Sequence, residues 1–356
     1  MSYTDSLVGW PLPLEAPIEP PFFLSGMPPS HTRIAAPACL LIGFLTLAVN
    51  SRPTAAQFAP VVWITRDTLA RDWWPRVSPD GRTVTFSRSR DGGATFELMR
   101  TTLAGDSTRP FFARPPEGSA TRGDWSRRHA RFAFTLRSRE DVDSAAVWIA
   151  DAPGTRAERL PLRWPSPSIL YPTWSPDERA LLAQDWGSAN GPSLVEVDLR
   201  TGAVARLTDP EKIFAAGLTL SPDGRWIAFV GQRNEGQRYD QMQNRLWLMR
   251  RRGGAEPREI GTGQARQPDW SPDGHWIAFT STRGDSARRQ AVFVVSPEDG
   301  EPVQLTEHAF DARHAVWSPD GRWLVFSALV PGTTQAYGLA KIRVPPLHRR
   351  RRAPTG

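Results

Sequence analysis

The sequence has a single cysteine, Cys39. One thiol excludes an intramolecular disulfide and a cysteine-built zinc site, so it carries no redox clue to the compartment. Lysine is nearly missing as well: Lys212 and Lys341 are the only two, and the other 42 of the 44 basic residues are Arg. That bias, beside abundant Ala and Pro, reflects a GC-rich coding sequence rather than a function. No G-x-S-x-G segment occurs, which removes the nucleophile elbow of a hydrolase. No long apolar pattern of period 3.6 occurs either, so a helical repeat protein is excluded. The one long uncharged run is 34–49 (IAAPACLLIGFLTLAV).

What is present is Trp, Pro and Gly: 15, 34 and 28 in 356 residues. Proline at that density does not fit helices, because it lacks an N–H and clashes with the preceding turn. The composition indicates an all-β chain with many turns. Apolar residues make up 40% and charged residues 23%, which argues against wholesale disorder. The net charge of +7 is concentrated at the end. Residues 341–356 carry six basic groups and no acid, and the span 57–340 retains only +2. Charge therefore does not argue for nucleic acid.

Residues 34–49 follow Arg33 and precede the small-residue stretch Pro53-Thr54-Ala55-Ala56. A weak basic flank, a short apolar core and small residues are the order of a secretory signal. At about 1.5 Å per residue the run is short for a hydrocarbon core of about 30 Å. The expectation is an N-terminal extension and signal peptide over 1–56, with Met1 or Met27 as the start, and a periplasmic or extracellular protein. An uncleaved anchor and a core segment are the alternatives.

One pattern recurs six times: VSPDGRTVTF (77–86), WSRRHARFAF (125–134), WSPDERALLA (174–183), LSPDGRWIAF (220–229), WSPDGHWIAF (270–279) and WSPDGRWLVF (317–326). Its serines, Ser78, Ser126, Ser175, Ser221, Ser271 and Ser318, are spaced by 48, 49, 46, 50 and 47 residues. Pro-Asp-Gly makes a tight turn: Pro presets φ, Asp bonds its own backbone and Gly takes positive φ. The strand that follows is apolar at both parities, as for a strand covered on both faces. Two copies are degenerate. The second reads Ser126-Arg127-Arg128-His129, and the third has Glu178 where Gly belongs. Positive φ at a non-Gly residue costs on the order of 1 kcal/mol, so those two turns are expected to be distorted.

Two more strand-like stretches follow each copy, giving four short strands per period, the content of one propeller blade. The expected fold is an all-β, six-bladed β-propeller over 57–344 with four-stranded blades. The last copy lacks a fourth strand. Residues 60–65 (PVVWIT) supply it, closing the ring as the outer strand of the blade completed by 313–344. A basic disordered tail, 345–356, remains.

With these residues in view, the sequence resembles the TolB-type (WSPDG, WD40-like) propeller repeat family over about 57–344. The resemblance implies a six-bladed propeller of the periplasm that contacts protein partners of the cell envelope. The family's namesake carries an α/β domain ahead of its propeller. Fewer than 80 residues precede the first repeat serine here, so a TolB-like propeller without that domain is expected.

The Asp residues of the motif (Asp80, Asp177, Asp223, Asp273, Asp320) are turn formers rather than metal ligands. His129, His275 and His308 fall in turns or loops. Ligand sites on repeat folds lie on loops at one end. Four residues before each serine stand Trp74, Arg122, Tyr171, Gly217, Gln267 and His314. If these lie on the loops leading into the innermost strands, repeat symmetry gathers them at the channel mouth. Trp74, Arg122, Tyr171, Gln267 and His314 then suit a polar ligand or a peptide terminus. The plainer alternative is that they only lead into strands. Asp124 and Asp269 are the nearest acids. A second candidate is the loop GQRNEGQRYDQMQNR (231–245), with Arg233, Asn234, Arg238, Tyr239 and Asp240 as partner contacts.

No catalytic constellation, metal site or cofactor site is read from the residues. The leading expectation is a non-enzymatic, monomeric scaffold that binds a protein or peptide. It binds no nucleic acid and touches membrane only through an uncleaved signal or the tail HRRRR (348–352). The alternatives are a lyase- or lactonase-type propeller enzyme with a channel metal, and a cytoplasmic scaffold.

Overall fold

The computed structural model describes residues 58–347 except 139–144, 152, 165, 167, 188–190, 254, 255, 262 and 299. The segment 1–56 and the tail beyond 347 lie outside the described residues, and with them the signal and basic-tail expectations.

Twenty-four strands run in chain order. β1 (Val62–Trp63) stands first. The first repeat gives β2 (Arg71–Val77), β3 (Val84–Ser89), β4 (Glu97–Thr101) and β5 (Arg109–Pro110). The second gives β6 (Ser119–Trp125), β7 (Phe132–Arg137), β8 (Ala145–Ala150) and β9 (Ala157–Arg159). The third gives β10 (Ile169–Trp174), β11 (Ala180–Asp185), β12 (Ser193–Asp198) and β13 (Val204–Arg206). The fourth gives β14 (Ile213–Leu220), β15 (Trp226–Arg233), β16 (Arg245–Arg250) and β17 (Arg258–Glu259). The fifth gives β18 (Arg266–Trp270), β19 (Ile277–Ser281), β20 (Ala291–Val295) and β21 (Val303–Gln304). The last gives β22 (Arg313–Trp317), β23 (Trp323–Leu329) and β24 (Tyr337–Arg343).

The fold is an all-β propeller. Repeats two to five each form a separate four-stranded antiparallel sheet. The first and last repeats share one eight-stranded sheet, because Arg71 of β2 pairs in parallel with Tyr337 of β24. The 60–65 segment pairs where the repeat count requires it: Val62 lies opposite Lys341 and Trp63 opposite Ala340. The N–H groups of Ile64 and Thr65 both donate to Leu339 O, at 2.7 and 3.1 Å. Gly338 is needed there, since a Cβ on it would sit 2.2 Å from Thr65 O.

The core lies between successive sheets. Trp276, Val292 and Val294 of the fifth repeat pack with Trp317, Leu324 and Phe326 of the sixth, for example. The motif phenylalanines Phe86, Phe134, Phe229, Phe279 and Phe326 are all buried, each worth about 1.5–3 kcal/mol of apolar transfer. The motif tryptophans Trp125, Trp174, Trp270 and Trp317 are buried beside them. Among the described residues no helix is long and apolar enough to cross a membrane.

The motif turns follow the expected chemistry. In the regular copies the serine hydroxyl donates to the motif Asp, as in Ser318 to Asp320 at 2.6 Å. The same Asp accepts the Arg322 N–H at 3.0 Å, and Ser318 Oγ accepts the Trp323 N–H at 2.9 Å. The Asp80, Asp177, Asp223 and Asp320 carboxyls sit below the usual aspartate range; for the first three the serine hydrogen bond is the main cause. The third copy is not distorted. Glu178 takes φ of 57° and its N–H bonds Ser175 O at 2.8 Å, as Gly224 bonds Ser221 O.

Candidate binding site

Each first strand of a repeat carries one residue with left-handed backbone, four positions before the motif serine. The φ values are 53° at Trp74, 20° at Arg122, 57° at Tyr171, 38° at Gly217, 46° at Gln267 and 57° at His314. In all six strands the register with the second strand breaks across that residue, from Trp73/Arg76 in β2 to Arg313/Val316 in β22. A bulge of this kind re-aims a side chain away from the strand's alternation. The residues therefore sit within the strands, not on the loops leading into them, which corrects the sequence expectation. Alternation alone could not reveal this, because a bulge is set by pairing with the neighbouring strand.

The six first strands pack side by side in a closed order, β2–β6–β10–β14–β18–β22–β2. That order brings the five named side chains together. Trp74, Arg122, Gln267 and His314 line one open pocket with Pro75, Arg76, Pro268, Ala315 and Val316. Tyr171 joins them: its ring is 6.3 Å from that of Trp74, and the Arg122 guanidinium lies 5.1 Å over it. The Trp74 ring also meets His314 at 5.4 Å and Phe96 at 5.1 Å. Gly217 is the member without a side chain and abuts Gln267.

The pocket is electrostatically lopsided. Arg122 is 8% exposed, and burial, followed by the charge of Arg76, pushes its guanidinium down to about 10. His314 is 4% exposed. Burial first, and the Arg313 and Arg122 charges after it, hold the imidazole well below its ordinary value, so it is neutral near pH 7. Its Nδ1 is buried without a hydrogen-bond partner.

Two residues nearer each serine, Arg76 lies 3.6 Å from Asp124 and 3.4 Å from Asp269. This links the first, second and fifth repeats. Both acids also fasten one repeat to the next. Asp124 Oδ2 accepts the Trp174 N–H at 3.0 Å, and Asp269 Oδ2 accepts the Trp317 N–H at 2.8 Å. Each indole returns a bond to the carbonyl of that Asp, at 3.1 and 3.2 Å. Burial raises the Asp269 carboxyl to about 6, against the pull of Arg76 and the Trp317 N–H. Arg76 escaped sequence reasoning, although its register with Asp124 and Asp269 in the repeat was the available signal.

The 231–245 segment is shorter as a loop than its sequence suggested, since β15 runs through Arg233 and a 3-10 turn covers Gln241–Gln243. Its polar groups are largely spent inside the molecule. Asn234 Nδ2 donates to Pro210 O at 2.8 Å, Asp240 caps Met242 N–H at 2.8 Å, and Asn244 Nδ2 donates to Tyr239 Oη at 2.8 Å. Arg233 lies over the Trp247 ring at 5.2 Å, and the Tyr239 ring meets Trp186 and Phe214. Burial pushes the Tyr239 hydroxyl up to about 12. Arg238 is exposed on the loop. Among the described residues no group of three or more His, Cys, Asp or Glu comes together in a way that could hold a metal ion.

With this geometry in place, the family profile of the TolB beta propeller domain matches residues 119–332. The chain belongs to the TolB beta-propeller family. Solved structures share the TolB propeller fold at low sequence identity. A protein of Agrobacterium tumefaciens assigned as TolB superposes with a TM-score of 0.54 at 22% identity, covering 77% of this chain and 90% of its own. A gluconolactonase of Xanthomonas campestris gives 0.58 at 16%, covering 81% and 90%. An oligogalacturonate lyase of Vibrio parahaemolyticus gives 0.54 at 12%, covering 81% and 94%. No curated protein matches in sequence. The propeller fold is thus shared by a protein assigned as TolB and by enzymes, and fold alone does not choose a function.

Proposed function

We propose that this chain is an exported, TolB-like propeller that binds a protein or peptide without catalysing a reaction on it. The observation that carries the reading is the convergence of Trp74, Arg122, Tyr171, Gln267 and His314, from five different repeats, on one aromatic-walled pocket. Five non-Gly residues in left-handed backbone each cost on the order of 1 kcal/mol, and such strain gathers at functional sites. Aromatic rings beside a few aimed polar groups suit peptide side chains better than proton transfer. The loop around Arg238 is a second contact surface.

The proposal includes six blades. The shared sheet is read as two four-stranded blades, β2–β5 and β22–β24 with β1, joined at the single Arg71–Tyr337 bridge. The closed order of first strands supports this count. It also includes export through the 34–49 signal and function as a monomer in the periplasm or outside the cell.

The test is affinity capture from an envelope extract, with the wild-type chain beside Trp74→Ala and Tyr171→Ala. A reproducible protein partner held by wild type and lost from both variants is expected. A tightly bound divalent ion, one per purified chain, or turnover of a sugar acid or lactone would overturn the reading. So would capture that both variants retain in full.

A further inference from the structure

Arg122 is a buried cation with no carboxylate at ion-pair distance among the described residues; Asp269 and Asp124 act on it only from farther away. Other half-buried arginines meet carboxylates: Arg76 meets Asp124 at 3.6 Å, Arg88 meets Asp72 at 2.7 Å, Arg251 meets Glu196 at 2.7 Å and Arg313 meets Asp311 at 3.0 Å. Arg122 has neither an ion pair nor a guanidinium hydrogen bond with any described residue; its one contact of note is the face of Tyr171. A buried charge left unpaired is strongly destabilising. It persists in native proteins where something outside the chain completes it. His314 Nδ1, buried and unpartnered in the same pocket, is a second group with its bonding unfulfilled. An unpartnered imidazole nitrogen and a guanidinium without a hydrogen bond, lining the same pocket, point to a ligand.

We infer that the pocket takes a carboxylate, held by the Arg122 guanidinium beside the His314 imidazole, with the attached residue lying against the Trp74 side of the pocket mouth. This deepens the peptide-binding reading and rests on it: the carboxylate is the C-terminus of the bound peptide. Three physical points select this chemistry. The guanidinium is a planar fork that matches a carboxylate in a bidentate manner. The neighbouring acids Asp124 and Asp269 disfavour a dianion such as a phosphate. The rings beside the guanidinium, Trp74 and Tyr171, favour a flat or apolar side chain on the ligand. Arg122 stays protonated at neutral pH even though burial lowers it, so the cation is present when the ligand arrives.

The test uses the full chain and three probes: the peptide acetyl-Gly-Ser-Ala-Phe with a free C-terminus, the same peptide as its C-terminal amide, and 3-phenylpropanoate. Binding is read from quenching of Trp fluorescence and confirmed by calorimetry. The free acid is expected to bind at least tenfold more tightly than the amide. In Arg122→Gln that preference falls to less than twofold. Arg122→Gln also melts at the same or a higher temperature than wild type, because an unpaired buried charge has been removed, whereas a structural arginine would lower the melting temperature. Should Arg122→Gln fold poorly, Arg122→Lys, which keeps the charge and loses the fork, reports the same preference at a reduced level. Phenylpropanoate binding as tightly as the peptide acid supports a carboxylate site for free acids; weaker binding supports a peptide terminus. Equal binding of acid and amide overturns the carboxylate inference while leaving peptide binding standing. A preference that survives in Arg122→Gln, or no binding of the acid at millimolar concentration, also overturns it. These probes leave the peptide reading itself to the envelope capture, the bound-ion content and the turnover assay.

Discussion

The Glu178 carboxylate completes the turn of Ser126, fifty-two residues away: Ser126 Oγ donates to Glu178 Oε1 at 2.7 Å. The same oxygen accepts the Arg128 N–H at 2.6 Å, and Oε2 meets His129 Nδ1 at 2.6 Å. In the regular copies an Asp of the same turn takes the serine hydroxyl. The second copy has no Asp, and the third lends its Glu. The two departures from the motif fit together in space as well. Three motif glycines lie against the Pro of the preceding repeat: Gly224 beside Pro176, Gly274 beside Pro222 and Gly321 beside Pro272. Copy two has Arg127 in place of that Pro, which leaves room for a side chain at position 178. The His129 and Ser126 hydrogen bonds hold the Glu178 carboxyl below its usual range despite its burial.

Glu178→Gly should therefore destabilise, although it restores the motif and relieves about 1 kcal/mol of backbone strain. It takes away the acceptor of the buried Ser126 hydroxyl, at a cost of about 1–3 kcal/mol, while the exposed Arg128 N–H turns to water. Urea unfolding of wild type and variant gives the sign. A more stable Glu178→Gly protein would show that the borrowed carboxylate contributes nothing.

The ring closure has its own fastening. Asp72 is fully buried, receives the Arg88 fork at 2.7 and 2.7 Å and accepts from Thr65 Oγ1 at 2.6 Å. Thr65 Oγ1 in turn accepts the Leu339 N–H at 2.8 Å, tying β1 to β24. Asp72→Ala takes the bidentate partner from Arg88, leaving it only Asp67 at 4.0 Å, and is expected to cost about 3 kcal/mol, the low end for a broken buried pair. Thr65→Val is expected to cost about 1–2 kcal/mol. Removal of residues 57–66 should lower the melting temperature more than either. Unchanged melting after that removal would mean that closure by the first strand is dispensable.

Asp269 makes stability depend on pH in an uncommon direction. Its carboxyl is raised to about 6 in the folded chain from 3.8. The folded state thus holds its proton more tightly than the unfolded one. Stability from this group is present below about pH 4, is lost as pH rises through about 6, and is level above that. Asp269→Asn removes the fall and keeps an oxygen for the Trp317 N–H. The wild-type protein should lose up to about 3 kcal/mol relative to Asp269→Asn between pH 4 and 7. Denaturant midpoints measured at unit pH steps test this; parallel curves for the two proteins would refute it.

Tyr239 separates the structural from the exposed part of the 231–245 loop. Tyr239→Phe deprives the Asn244 amide of its acceptor and should destabilise by about 1 kcal/mol. Thermal melting of the purified variant reads this directly; no change would mean that the loop is held by its other bonds.

The recurrence of Ser-Pro-Asp-Gly was enough to read the repeat, because its turn chemistry is local: each hydroxyl, carboxylate and amide lies within five residues. The same locality made Phe86 and its counterparts legible as core. Blade closure was legible from a count of strands, with Ile64-Thr65 aligned to its counterparts by distance alone. The bulges at Trp74 and its five equivalents were not, since a strand's register is decided by its neighbour. Nor was the exchange between Ser126 and Glu178, which reads in sequence as two separate defects.

What the chain determined by itself is the set of turns, the two-faced strands and the identity of six positions at a common offset. Those depend on φ preferences and on side-chain bonds to nearby backbone. Only the tertiary structure decided which way the six residues face, that Arg122 is buried with no carboxylate at ion-pair distance, and which carboxylate serves a turn not its own. These are matters of what lies across a sheet or between sheets, where burial removes water and makes every unmet polar group costly.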